Sequence, residues 1–145
     1  GQASVRASGV RTALIDRIEA ITPDSQATHR DRFVALDLRH KSDRGVTVSD
    51  RCFVVKLAQI TPSVLITPNT QTATYEIDVF YMAQDGVEDR IALDAERIVH
   101  ALYSIHTQAA DLYTAEIGPI AVNDTMYENI LSATTTVDVT YKTDI

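Results

Sequence analysis

Several things are scarce in this sequence. A single cysteine, Cys52, stands in 145 residues. One thiol closes no internal disulfide and assembles no cysteine-ligated zinc centre, so the fold has to be held by core packing. The five glycines, Gly1, Gly9, Gly45, Gly86 and Gly118, are scattered singly. Neither a phosphate-cradling loop nor a dinucleotide fingerprint can be built from them, and no cofactor is expected. The longest apolar runs are four or five residues, far short of the roughly 20 that a membrane-crossing helix needs, so no membrane partner is expected. Positive charge is scarce as well. There are 13 Lys and Arg against 20 Asp and Glu, a net charge of −7, with a pI near 4.9. That excludes a uniformly basic nucleic-acid binder, and no sequence-specific nucleic-acid partner is expected, although a local basic patch can exist on an acidic body.

What is present suffices for one core. A hydrophobic content of 45% in this length is ordinary for one globular domain, here residues 1–145. The opening residues, Gly1 to Arg6, hold no apolar stretch of signal-peptide length. A cytosolic product, or one assembled inside a cell, is expected from that.

Hydrophobic periodicity supplies the elements. Val10, Leu14, Ile18 and Ile21 recur at steps of four and three, with Arg11, Asp16, Arg17 and Glu19 opposite them. This predicts an amphipathic helix that ends at Thr22-Pro23, because proline disfavours helical backbone in the residue before it. Phe33 to Leu38 alternates as a strand, and Arg51 to Gln59 alternates as its partner. The connection between them, Arg39 to Asp50, is long for a tight hairpin and predicts a projecting hairpin extension or a functional loop. Pro62 and Pro68 bracket Val64-Leu65-Ile66, which reads as a short edge segment.

The clearest strand puts Tyr75, Ile77, Val79 and Tyr81 on one face. Val87, Ile91, Ala95, Ile98, Leu102 and Ile105 then form a helical stripe over about Val87 to His106. Asp85 and Glu88 have the spacing of a capping box at its start. Leu112 to Val122 is extended but interrupted at Gly118-Pro119, Asn123-Asp124 reads as a turn, and Ile130 to Lys142 alternates again. Segregated strands and only two helices predict an α+β fold, a mostly antiparallel sheet with two helices packed on it. Ile77-Asp78-Val79-Phe80-Tyr81 and Val137-Asp138-Val139-Thr140-Tyr141 share one pattern, consistent with half-buried neighbours in that sheet.

Catalytic chemistry finds little support. His100 and His106 lie six apart, about 240° around a helix, and cannot ligate one metal together. His29 and His40 fall in loops with no carboxylate at ligand spacing, so no metal is expected. Cys52 stands among Phe53, Val54 and Val55, where a thiol behaves as a small buried hydrophobe. An enzyme is not expected. The most distinctive polar segment holds Arg39, His40, Lys41 and Arg44. These are candidates for a partner interface, docking on an acidic surface, against the alternative of a solvated loop tip.

The order of elements resembles the tail terminator, or tail completion, proteins of long-tailed bacteriophages. The likeness is carried by the helix Val10 to Ile21, the strand pair with its long loop, the strand Thr74 to Tyr81, the long helix, and the final strand ending Thr136-Val137-Asp138-Val139-Thr140-Tyr141. It implies a structural virion protein, assembled in the host cytoplasm. Such a protein forms a hexameric ring that caps the tail tube and presents a surface for the head–tail connector protein. The loop Arg39 to Asp50 would then touch a neighbouring ring or the tail tube protein, and the helices would form the outer wall. Six copies at −7 each would carry about −42, so closure would need local complementarity, such as Arg39, Lys41 and Arg44 against a neighbour's carboxylates. Two other readings stand beside it. One is another phage neck or head-completion ring protein. The other is a small cytosolic ligand-binding α+β domain or enzyme, with a site built from dispersed residues such as His40, Arg44 and Asp78.

Overall fold

A computed structural model describes residues 7–23, 32–36, 50–62, 70–108, 112–125 and 129–142. Helix α1 spans Ala7–Glu19, and strands β1 (Val34–Ala35), β2 (Cys52–Pro62) and β3 (Thr70–Met82) follow. Helix α2 spans Val87–Tyr103 and ends in a short 3-10 turn, Ile105–Thr107. Strands β4 (Leu112–Ile117), β5 (Ala121–Asp124) and β6 (Ile130–Lys142) complete the chain's elements. The sheet runs in the order β1-β2-β3-β6-β4, with β5 also on β6. All pairings are antiparallel except β1 with β2. This is the expected α+β fold.

The strand alternation explains the sheet's two faces. Along β3 and β6 the residues Ala73, Tyr75, Ile77, Val79, Tyr81, Ala133, Val137, Val139 and Tyr141 are buried in one cluster. Val10, Leu14 and Ile18 from α1 and Val87, Ile91, Ile98 and Leu102 from α2 fill the same cluster. Both helices therefore lie on one face of the sheet. Removing these apolar stripes from water supplies the main driving force for folding. Phe33 and Phe53 meet edge to face in this core, with centroids 6.5 Å apart. The opposite face carries a small second cluster, in which Cys52, Val54 and Phe80 pack with Leu36 and Ile130.

Three expectations need correction. The pair formed by β1 and β2 is parallel, Val34 beside Cys52 and Ala35 beside Phe53. Parallel neighbours cannot be joined by a hairpin, so the hairpin reading of Arg39 to Asp50 fails. The interruption expected at Gly118-Pro119 does occur, and it separates β4 from β5, both of which pair with β6. Asn123 and Asp124 belong to β5 and pair with Ser132 and Leu131 rather than forming the turn. The capping box does not form: the N-cap of α2 is Gly86 at φ 80°, with no side-chain cap bond. A left-handed backbone there favours glycine and puts Asp85 one residue too early to cap. The apolar segment 64–66 lies outside the described residues.

Gly118 bridges the two parts of the split strand. Its N–H donates to the Thr136 carbonyl at 2.8 Å, and a Cβ placed on it would stand 2.9 Å from Thr136 Oγ1. Gly118→Ala should therefore cost about 1 kcal/mol from the forced shift of the threonine. Adding Thr136→Ala should remove most of that loss in urea unfolding. An equal loss in both backgrounds would place the cause elsewhere.

Candidate functional site

The candidate interface residues Arg39, His40, Lys41 and Arg44 lie outside the described residues, as do His29 and the rest of 37–49. What is described is where that segment leaves and re-enters the fold, at Leu36 and Asp50. The re-entry point is tightly built. Asp50 is 1% exposed and Arg51 is fully buried. The Arg51 N–H donates to the Phe80 carbonyl on one side, while its own carbonyl accepts from the Val34 N–H on the other. In a regular strand both groups of a residue point to the same side. Arg51 turns them apart by adopting φ 63°, a left-handed conformation that costs a residue with a Cβ about 1 kcal/mol.

Side-chain bonds hold this turn beneath α2. Arg51 Nε and Nη2 donate to the two carboxylate oxygens of Asp94 at 2.8 and 3.1 Å, and both side chains are fully buried. The Tyr81 hydroxyl donates to Asp94 Oδ2 at 2.9 Å. Burial, reinforced by that carboxylate, pushes the Tyr81 phenol well above its ordinary range. The Arg51 guanidinium also stands 5.9 Å from the Phe33 ring centre. Asp50 accepts the Met82 N–H at 2.6 Å and Arg90 Nη1 at 2.8 Å. Gln84 turns its amide oxygen to the same guanidinium, 2.7 Å from Nη2. Two Asp–Arg pairs thus tie the start of β2 to the end of β3 and to α2. Each charge meets a fixed countercharge, so the cluster is suited to holding the chain and holds no exposed nucleophile or base.

Beyond the small cluster around Cys52 and Phe80, the face of the sheet away from the helices is polar across β2, β3 and β6. Lys56 Nζ lies 3.0 Å from Glu76 and 2.9 Å from Asp78. Burial lowers the affinity of Lys56 for its proton, yet the bonds and attraction of Asp78 and Glu76 outweigh this, and its pKa is raised. Thr134 donates to Asp78 at 2.7 Å, and Thr74 donates to Asp138 at 2.6 Å. These two rungs explain the paired strand pattern: each aspartate is held by a threonine of the other strand. Thr72 and Thr140 continue the ladder at 3.2 Å. Asp78, offered for a dispersed enzyme site, is 3% exposed and occupied by its own neighbours.

A third polar region lies between the C-terminal ends of the helices. Arg17 of α1 donates from Nε and Nη2 to the Ala101 carbonyl at 3.2 and 3.1 Å, and also to Ser104 Oγ. Around this clasp is an open groove of about 350 Å³, lined by Arg17, Ile21, Thr22, Arg97, His100 and Ser104 among others. No carboxylate among the described residues lines it. No sequence pattern announces this groove, because Arg17 and His100 are brought together only by the packing of α1 on α2. The buried network had a visible signal that was missed: Asp94 falls on the α2 apolar stripe, three residues after Ile91 and four before Ile98.

The remaining candidates stay apart. His100 and His106 are exposed, and no group of three His, Cys, Asp or Glu able to hold a metal occurs among the described residues. Cys52 is 1% exposed, packed as a hydrophobe. No helix among the described residues is long and apolar enough to cross a membrane. No family model matches the sequence, and comparison with curated proteins finds no match.

Proposed function

We propose that this chain is a structural virion protein, a tail terminator whose ring caps the tail tube of a long-tailed phage and meets the head–tail connector. The observation that carries the reading is the state of the sheet edges. Among the described residues β1 pairs with only Cys52 and Phe53 of β2, and beyond them the far half of β2, Leu57 to Pro62, is exposed throughout. It contains no charged residue, and Leu57 and Ile60 are 36% and 43% exposed. At the other edge Tyr113 and Val122 are 45% and 51% exposed. Chains that work alone blunt such edges with charge or cover them. An uncharged, exposed edge along β2, with Tyr113 and Val122 exposed beside Glu116 and Asp124 on the other side of the sheet, suits a subunit whose β2 edge is covered by others of its kind. The element order and the polar, self-satisfied open face fit the same role, in which contacts matter and chemistry does not.

The test is solution mass by light scattering at several concentrations, alone and with tail tubes added, followed by negative-stain imaging. A ring of about six copies, formed alone or on the tube, is the expected result. A ring that ignores tail tubes but seats on a head connector would favour another neck protein. A strict monomer indifferent to both would overturn the ring reading and favour a ligand-binding α+β domain.

A further inference from the structure

The polar ladder of the open sheet face satisfies itself from β2 to β6, but toward the β4 edge it does not. Glu116 of β4 stands directly opposite Asp138 of β6. Asp138 accepts from Thr74 on the open face, and Glu76 of β3 lies on the next rung. Lys56 is held by Glu76 and Asp78, and Lys142 stands four residues beyond Asp138 on the same strand, about 13 Å away. Among the described residues no ion pair joins Glu116 or Asp138 to a cation. Like charges directly opposite on paired strands destabilise the pair, and a cation laid over them reverses the sign of that effect.

The chain carries one stretch dense in such charge, with Arg39, Lys41 and Arg44, and its points of attachment decide which copy can deliver it. It follows Leu36, which is level with Val54 of β2, three strands from β6 and four residues along the sheet from Asp138. That is a separation of about 20 Å. Arg39 is three residues past Leu36, a reach of about 10 Å. At the other end Asp50 is fixed to the Met82 N–H, and Met82 is eight residues of β3, about 27 Å, from the rung of Thr74 and Asp138. Arg44, six residues before Asp50, reaches about 20 Å. The backbone of one chain thus stops about 10 and 7 Å short of its own carboxylates, and only a segment drawn taut over the sheet from both ends would close both gaps.

We infer that the open sheet face at Glu116 and Asp138 receives the Arg39 to Arg44 segment of a second copy of this chain. The inference rests on the ring reading and names its contact. The segment is attached at the β1 edge and the carboxylates lie toward the β4 edge, opposite ends of one sheet. Copies set side by side, the β1 edge of one against the β4 edge of the next, satisfy each face in turn. Such a head-to-tail contact propagates from copy to copy and closes into a ring when the rotation permits. The same approach brings the uncharged β2 edge of one copy against its neighbour. Local pairing offsets the repulsion among copies of a chain of net charge −7 and fixes their register.

Two charge-reversed chains test this. Glu116→Lys with Asp138→Asn makes the face basic while keeping an acceptor for Thr74; Arg39→Glu, Lys41→Glu and Arg44→Glu together make the segment acidic. Each chain alone should lose association at least about tenfold and sediment as a monomer where the unaltered chain is assembled. Mixed in equal amounts they should regain the assembled mass, because a basic face then meets an acidic segment and, at the next contact, an acidic face meets a basic segment. Glu116→Gln separates the contact from folding. By removing one of two opposed charges it should unfold at an equal or higher temperature yet weaken association several-fold. If the unaltered chain assembles while either reversed chain or Glu116→Gln assembles as tightly, or if the mixture stays apart, the contact is overturned and the ring reading stands. A segment reversal that lowers only thermal stability, without loosening the assembly, places the segment on its own chain and overturns the contact too. An unaltered chain that stays monomeric at every concentration, with or without tail tubes, overturns both.

Discussion

Asp94→Ala is expected to cost about 3–5 kcal/mol in urea unfolding, the range for removing one partner of a buried ion pair. The reason is what it leaves behind. Arg51 is fully buried and its guanidinium takes both oxygens of Asp94, so the alanine strands a cation in the core. It also orphans the Tyr81 hydroxyl, whose acceptor is Asp94 Oδ2. The loss exceeds that expected for Tyr81→Phe, which removes a donor but leaves the pair intact and should cost about 1 kcal/mol. Replacing the whole set with apolar residues, Arg51→Met, Asp94→Leu and Tyr81→Phe together, should recover most of the stability, because no buried charge then lacks a partner. If Asp94→Ala costs less than about 1 kcal/mol, water reaches the pair and the network does not anchor the turn.

That network also marks the limit of what the chain reveals before it folds. The alternation of β6 from Ile130 to Lys142 and of β3 from Tyr75 to Tyr81 was legible because each strand buries one face, and a period of two admits one answer. The stripe of α2 was legible for the corresponding helical reason. Asp94 was passed over because an aspartate on an apolar stripe is buried only if a cation arrives to meet it, and its partner comes from 43 residues away. The parallel pairing of β1 was invisible for a different reason. Two residues of pairing leave no periodic trace, and direction is set by where the chain goes between Leu36 and Asp50. In the groove, Arg17 reaches Ala101 across 84 residues, so that basic recess exists only once the helices have packed. His100, by contrast, lies off the apolar stripe, a place that the helical period alone assigns to solvent, and it is exposed.

Stability should also fall steeply above about pH 10, the ordinary pKa of tyrosine. Three phenols point the same way. Tyr81 is held far above its ordinary range by burial first and then by Asp94, against smaller opposing effects from Arg51 and Arg90. Tyr75 is pushed up to about 12 by burial, with Tyr141 adding to it and Arg11 opposing. Tyr141, whose hydroxyl lies 2.9 Å from Gln71 Oε1, is raised by burial. A raised pKa means that the folded chain keeps a proton that the unfolded chain releases. Stability from these groups is thus fully present below pH 10 and is lost as pH rises toward their folded values. Each such tyrosine contributes a slope of about 1.4 kcal/mol per pH unit while it is ionised only in the unfolded chain. Lys56, raised by its two carboxylates, adds to the loss in the same direction. Urea unfolding followed by circular dichroism at closely spaced pH values checks the slope. The discriminating variant is Tyr81→Phe. It removes one titrating group, so its stability curve should be lower near neutrality yet flatter between pH 10 and about 12. An alkaline limb equally steep with and without the Tyr81 hydroxyl would show that this phenol is not what the high-pH transition releases.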